Sequence, residues 1–223
     1  MKLVVVSAGV SEPSSTGLLA RQLSHRVSAR LAEHGVTASA TGLELRDLAQ
    51  EIAAGLVSGL LGPGLQDAVA ALAQADGIIA ATPVYKAGIS GLFKSFADLL
   101  DNDLLIAKPV LLAATAGTAR HALVVDEGMR SLFTYLRALT VPTGVFASQE
   151  DWGDPALGGR MDRAAAELVA LMQSGVQDRV RGQSWRSYQH ELGSNGGAEL
   201  EIDVDSEMMR LATGGSALDP LTP

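Results

Sequence analysis

The sequence contains no cysteine. That excludes a disulfide framework, thiolate catalysis, a Cys-ligated zinc site and an iron–sulfur cluster, and it suits a reducing cytoplasm. Aromatic residues make up only 4% of the chain, too few for the base-stacking surface of a single-strand binder. Positive charge is also in deficit: 17 Lys and Arg against 25 Asp and Glu leave a net charge of −8. A sequence-independent grip on nucleic-acid phosphates or on an anionic membrane surface is disfavoured by that balance. Long hydrophobic runs are missing too. The amino-terminal stretch MKLVVVSAGVSEPSSTG is too briefly apolar for a secretory signal, and no later segment approaches the roughly 18 uncharged apolar residues of a membrane span. The expectation is a cytoplasmic protein with no membrane and no nucleic-acid partner. Three motifs are absent as well: the Gly-Lys-Ser/Thr of a P-loop, the Gly-x-Gly-x-x-Gly dinucleotide fingerprint, and the Gly-x-Ser-x-Gly elbow of α/β hydrolases.

What is present is an alternation of strand and helix patterns along 223 residues that are 47% hydrophobic, enough for one full core. Leu3 to Val6 is a solid apolar run ending in Ser7-Ala8-Gly9, the mark of a strand buried on both faces. Leu19, Leu23, Val27 and Leu31 then fall on one helical stripe that Gly35 stops. Val36 to Leu45 reads as a weaker strand near a sheet edge. Helices are expected around Leu48 to Leu60 and Leu65 to Leu72, a strand at Gly77 to Ala81, and a helix through Leu92, Phe96 and Leu99. A strand at Val110 to Ala114, a helix around Met129 to Leu139, a short strand at Gly144 to Ala147 and a helix at Met161 to Met172 complete the series. Five such alternations argue for a parallel sheet covered on both faces by right-handed crossovers. Composition shifts near Gly175. From Arg181 to Pro223, Arg181, Arg186 and Arg210 stand against Glu191, Glu199, Glu201, Asp203, Asp205, Glu207 and Asp219. Residues 1–175 are therefore expected to form the domain, and 176–223 an acidic, Gly-containing tail, partly mobile or packed on a neighbouring subunit, with Trp185 and Tyr188 pinning its start.

In an open parallel sheet, ligands collect at the carboxyl ends of the strands, and three loops there stand out. The first, Ser7 to Thr16, offers hydroxyls and backbone N–H groups at a helix amino terminus, a setting for a phosphate held mainly by neutral donors, because the loop has no Lys or Arg. Ser14 to Thr16 equally suit a plain helix cap. In the second, Thr82 to Gly91, Pro83, Val84 and Tyr85 would offer apolar and aromatic surface to a flat heterocycle, with Lys86 beside it. Small residues in the third, Thr115 to His121, allow close backbone approach, with Arg120 and His121 its only strongly polar side chains.

Taken together, Ser7 and Ser14-Ser15-Thr16, Thr82-Pro83-Val84-Tyr85 running into Ser90-Gly91-Leu92-Phe93-Lys94, and Thr115-x-Gly117-Thr118 before Arg120-His121 resemble the NAD(P)H-dependent FMN reductases of the flavodoxin-like fold. More narrowly, they resemble the reductases that partner luciferase-like flavin monooxygenases. The resemblance runs through Asp151-Trp152-Gly153. It implies a doubly wound, five-stranded parallel sheet of order 2-1-3-4-5 with helices on both faces. It also implies that Ser7, Ser14, Ser15 and Thr16 hold the FMN phosphate, that Pro83, Val84, Tyr85 and Lys86 line the flavin ring, and that Thr115, Gly117 and Thr118 border its other edge. NADPH or NADH would be the electron donor, with Arg120 and His121 as candidates to meet it and Arg120 set against a 2′-phosphate. A homodimer or tetramer is expected by the same resemblance, and a flavin-dependent monooxygenase is the implied recipient of reduced FMN.

Hydride passes directly from nicotinamide to flavin, so no protein nucleophile or acid–base pair is required, and none stands out. Lys86 is expected to favour the reduced, anionic flavin. Two other readings share the FMN site: a quinone, azo-dye or metal-ion reductase with tightly held FMN, and a flavodoxin-type electron carrier.

Overall fold

The protein is described here by a computed structural model covering residues 1–184; the acidic segment from Trp185 onward, with Tyr188, lies outside the described residues. Strand β1 (Lys2–Ser7) leads into helix α1 (Ser15–Glu33), followed by β2 (Ser39–Glu44), α2 (Ala49–Ser58) and α3 (Pro63–Gln74). Then come β3 (Gly77–Tyr85), β4 (Gly88–Ile89), α4 (Gly91–Asp98), β5 (Pro109–Thr115) and α5 (Arg130–Tyr135). Strands β6 (Leu139–Thr140) and β7 (Val145–Ala147) precede α6 (Pro155–Gln173) and α7 (Val176–Ser184), with Gly175 at φ +65° between the two helices.

The sheet runs β2-β1-β3-β5-β6, all parallel. Each strand is sorted by its own alternation. Leu3 and Val5 of β1 face a layer built by α1 and α6, whereas Val4 and Val6 face the layer built by α2, α3, α4 and α5. Leu19, Leu23, Val27 and Leu31 are wholly buried, each contributing about 2 kcal/mol relative to exposure. As the composition of its strand suggested, β2 is the edge and is largely exposed.

Among the described residues, the expected five strands are seven. Two causes separate the sheet from the simple order. At the outer edge, β6 pairs with Pro109 and Val110, and β7 pairs with Ala113, Ala114 and Thr115, so one strand position is shared by two short pieces. Between them the ladder breaks at Pro142, which has no N–H to give, and Arg130 takes the carbonyls there. Its guanidinium donates to the carbonyls of Val141 (3.0 Å) and Pro142 (3.1 Å) and to Thr140 Oγ1 (2.8 Å), while pairing with Asp126 (2.9 Å). Glu167 takes the next backbone N–H, of Thr143, at 2.7 Å. The second cause is β3, which does not stop at Ala81. Thr82 and Pro83 stay in register with Ala114 and Thr115, and Val84 and Tyr85 turn back in an antiparallel pair with Ile89 and Gly88.

Helix starts follow local chemistry. Ser14, Ser90 and Asp154 cap α1, α4 and α6 with their side chains, and Glu51 of α2 accepts from the Leu65 N–H in the first turn of α3 at 3.0 Å. No single helix among the described residues is long and apolar enough to cross a membrane.

At the amino end of β5, away from the carboxyl-end loops, Lys108 is fully buried. Its ammonium donates to the carbonyls of Ala75 (2.6 Å) and Ala73 (3.2 Å) at the end of α3, where a cation complements the helix dipole. Burial, and secondarily Arg181, lower its pKa to about 8 against the opposing pull of Asp76 and Asp178. Between about pH 8 and the ordinary lysine value near 10.4, the unfolded chain therefore holds more proton at this site than the folded one, so the Lys108 contribution to stability rises with pH there. Denaturant unfolding should show the stability of wild type relative to Lys108→Met increasing across that window; a flat difference would mean that the amine titrates alike in both states.

Candidate functional site

The loops after β1, β3, β5 and β7 converge on one cleft. It is lined by Gly9, Val10, Ser11, Ser14, Ser15, Thr16, Pro83, Val84, Tyr85, Thr115, Ala116, Gly117 and Gln149, and encloses about 520 Å³ including space open to solvent. Among the described residues, no charged side chain lines it. One wall is hydroxyls and helix-start backbone; the other is apolar and aromatic.

The hydroxyl wall is set by the start of α1. Ser14 Oγ accepts from Gly17 N at 3.0 Å, and the Leu18 N–H donates to Ser14 O at 2.9 Å, so the N–H groups of Ser15 and Thr16 come before the first intrahelical donor, Leu18. Ser14 thus caps the helix, and its hydroxyl hydrogen remains for a ligand. Gly9 is required by close approach: a Cβ there would lie 1.9 Å from Ser14 Oγ. Thr16 Oγ1 and Thr115 Oγ1 are 2.7 Å apart and buried, tying the first loop to the third. Ser7 is buried behind the cleft rather than on its lining, and its Oγ accepts from Gly9 N at 3.5 Å.

The apolar wall comes from the extension of β3. Thr82 and Ser90 lock it: the Ser90 N–H donates to Thr82 Oγ1 (3.1 Å), Thr82 Oγ1 donates to Ser90 Oγ (3.2 Å), and Ser90 Oγ accepts from Phe93 N (3.2 Å). Tyr85 lines the cleft while 51% exposed. Lys86 (φ 49°) and Ala87 (φ 64°) make the two-residue turn to β4 in the left-handed region, without a glycine. Lys86 is exposed at the tip of this hairpin, outside the cleft lining.

Thr115 and Gly117 line the cleft, and a Cβ on Gly117 would meet nothing within 4 Å. Thr118, Arg120 and His121 lie just beyond the lining; Arg120 and His121 belong to a short 3₁₀ turn, Ala119–His121, that begins after Thr118. Sequence reasoning therefore placed Ser14, Ser15, Thr16, Pro83, Val84, Tyr85, Thr115 and Gly117 on one surface, and passed over Gly9, Val10, Ser11, Ala116 and Gln149. The first four of these sat inside loops already singled out. Gln149 was findable as the residue just past the short final strand. The turn that carries it is held by Asp151, whose Oδ2 accepts from Ser148 N and Ser148 Oγ at 2.7 Å each. Those two bonds hold the Asp151 carboxyl below its ordinary pKa.

A cation approaches the first loop from another element. Arg46, in the 3₁₀ turn Leu45–Leu48 after β2, donates to Ser11 O at 3.4 Å, pairs with Glu12, and lies 3.6 Å from Asp47. The hydrogen bond and charge of Glu12 raise the Arg46 pKa above its ordinary value. A separate hollow bounded by Val6, Ile78, Phe93, Phe96 and Phe133 is wholly apolar and belongs to the core.

Residues 1–153 match the family described as NADPH-dependent FMN reductase. The chain is 39% identical over 176 residues to the NADH-dependent FMN reductase SfnE of Pseudomonas putida, covering 77% of this chain and 92% of that protein. It is 37% identical over 171 residues to an FMN reductase (NADPH) of Pseudomonas aeruginosa, covering 76% and 88% respectively. Among solved structures, an oxidoreductase from Corynebacterium diphtheriae superposes with a TM-score of 0.76 at 43% identity, over 78% of this chain and 97% of that one. The flavodoxin, WrbA-like protein of Agrobacterium tumefaciens, at 21% identity and a TM-score of 0.55 over 77% and 98%, shares the fold.

Two substitutions in the loops should move stability in opposite directions. Gly9→Ala forces the Ser14 cap aside and should cost about 1–3 kcal/mol, as overpacking does. Ala87→Gly relieves a left-handed alanine and should gain about 1 kcal/mol, raising the melting temperature by roughly 2–4 °C in a chain of this size. Thermal denaturation reads both; a neutral Gly9→Ala would mean that the first loop rearranges freely.

Proposed function

The chain belongs to the NADPH-dependent FMN reductase family, and we propose that it transfers hydride from a nicotinamide nucleotide to FMN held in the carboxyl-end cleft. The observation that carries this reading is the union of two unlike walls in one cleft: helix-start N–H groups with serine hydroxyls, and Pro83-Val84-Tyr85. A phosphate needs the first and a flat heterocycle the second. Open space in front of Gly117 also lets a ring edge come up to the backbone.

When bound, FMN supplies the ring that accepts hydride. The protein's own residues position and shield. The Ser15 and Thr16 N–H groups and the hydroxyls of Ser11, Ser14 and Ser15 donate to the phosphate, and Ser7 acts behind them through Gly9. Pro83, Val84 and Tyr85 exclude water from the ring, and Thr115, Gly117 and Gln149 bound its polar edge. Lys86 and Thr118 stand at the rim. Arg120 and His121, also outside the lining, face the nicotinamide nucleotide, and Arg120 selects for a 2′-phosphate. No proton need be held by a side chain for direct hydride transfer, which agrees with an uncharged lining.

In this reading residues 1–175 form the flavin-binding unit, which assembles as a homodimer or tetramer. Reduced FMN leaves for a flavin-dependent monooxygenase; the solvent-open cleft and the half-exposed Tyr85 support traffic of flavin in and out.

The deciding experiment is the visible spectrum of the purified protein with added FMN, before and after anaerobic NADPH or NADH, alongside turnover with FMN in excess. Expected are a perturbed flavin spectrum, rapid bleaching and many turnovers of free FMN. Bleaching confined to one equivalent, with turnover only on a quinone, would assign tightly held FMN and another acceptor. Binding without bleaching would leave an electron carrier, and no binding would overturn the reading.

A further inference from the structure

A flavin phosphate carries nearly two negative charges, yet among the described residues the cleft that would receive it is lined only by uncharged ones. The loop that forms its hydroxyl wall even contributes a carboxylate, Glu12, 76% exposed at the side chain. That carboxylate is paired. Arg46 reaches it from the 3₁₀ turn after β2, with the same Nη1 in contact with the carbonyl of Ser11, a cleft-lining residue. The guanidinium is therefore anchored beside the anion-ready loop, in reach of a residue that forms it, and its side chain is still 35% exposed.

Resting on the FMN reading above, we propose that Arg46 is the counter-charge for the flavin phosphate, and that Glu12 holds it in the empty site and yields it when a phosphate monoester enters. The exchange follows from charge. A phosphate dianion beside Glu12 repels that carboxylate and competes for the same donor fork, and its larger charge attracts the guanidinium more strongly. The pair thereby makes the site specific for the phosphorylated flavin. Without an anion, Arg46 stays neutralised by Glu12 and lends nothing to riboflavin. Arg21 supplies an internal comparison. Its Nη1 lies 3.2 Å from the position of a Cβ on Gly17, but it borders the neighbouring groove with Ser24, His25 and Glu44 instead of the cleft.

Dissociation constants of the full chain for FMN and riboflavin, measured by flavin fluorescence at low and high salt, test the proposal. Wild type should prefer FMN. Arg46→Ala should weaken FMN about tenfold, the scale of one charge-assisted hydrogen bond, and leave riboflavin within about twofold. Arg46→Lys should restore part of the loss, Glu12→Gln should keep or tighten FMN binding, and Arg21→Ala should match wild type. Equal losses for FMN and riboflavin in Arg46→Ala would make Arg46 a support of the loop and overturn the proposal. So would a Glu12→Gln variant that loses FMN as Arg46→Ala does, since Glu12 would then be aiding the phosphate rather than yielding to it. If Arg46→Ala fails to fold, Arg46→Lys and Glu12→Gln decide alone. Wild type that prefers FMN, with the preference unchanged in Arg46→Ala, overturns the Arg46 role while the cleft reading stands; wild type that binds FMN and riboflavin equally overturns the phosphate wall together with Arg46, and wild type that binds neither overturns the cleft reading itself.

Discussion

The constraint on which the rest depends is that a parallel sheet must be covered on both faces. Strands buried on both sides need apolar residues at successive positions, and β1 supplies them, sending Leu3 and Val5 to one layer and Val4 and Val6 to the other. Parallel direction has a second consequence. Because the main strands run the same way, the ends of β1, β3, β5 and β7 emerge on one side, and their loops meet there without any further instruction. The cleft is thus a by-product of how the core is covered, and its chemistry is free to differ from that of the core.

That chemistry economises on charge. Ser14 caps a helix and faces the cleft with one hydroxyl, Thr16 and Thr115 join two loops through a single buried bond, and Ser90 caps α4 while bracing Thr82. Each of these groups holds the backbone that carries the lining, so the site is stiffened by the same hydroxyls that make it polar. Membership of a reductase family accounts for that economy. An enzyme that moves hydride between two bound rings needs position and exclusion of water more than it needs an acid or a base.

Charge enters from outside the lining. Arg46 comes to the first loop from the turn after β2, and Lys108 closes the carboxyl end of α3 at the opposite end of the sheet. Arg130 serves a third purpose, taking the carbonyls of Val141 and Pro142 where the outer strand divides. In each case a cation stands where backbone acceptors or an acidic neighbour would otherwise be left unmatched.

Apolar runs, their periods and the small polar residues after them determined by themselves the alternation of strand and helix, the edge placement of β2 and the three loops that meet at the cleft, while the roles of single residues in those loops came from the family resemblance. They did so because burial and capping act over a few neighbouring residues, where spacing along the chain is spacing in space. Only tertiary structure decided that β3 continues to Tyr85, held by register with β5; that the outer strand divides around Pro142; and that Gln149 and Arg46 come to loops far from them in sequence. Each of those depends on a contact between segments whose separation along the chain carries no period, and the physical reason is the same in all: the partner that satisfies a backbone group or a charge is chosen by the packed sheet.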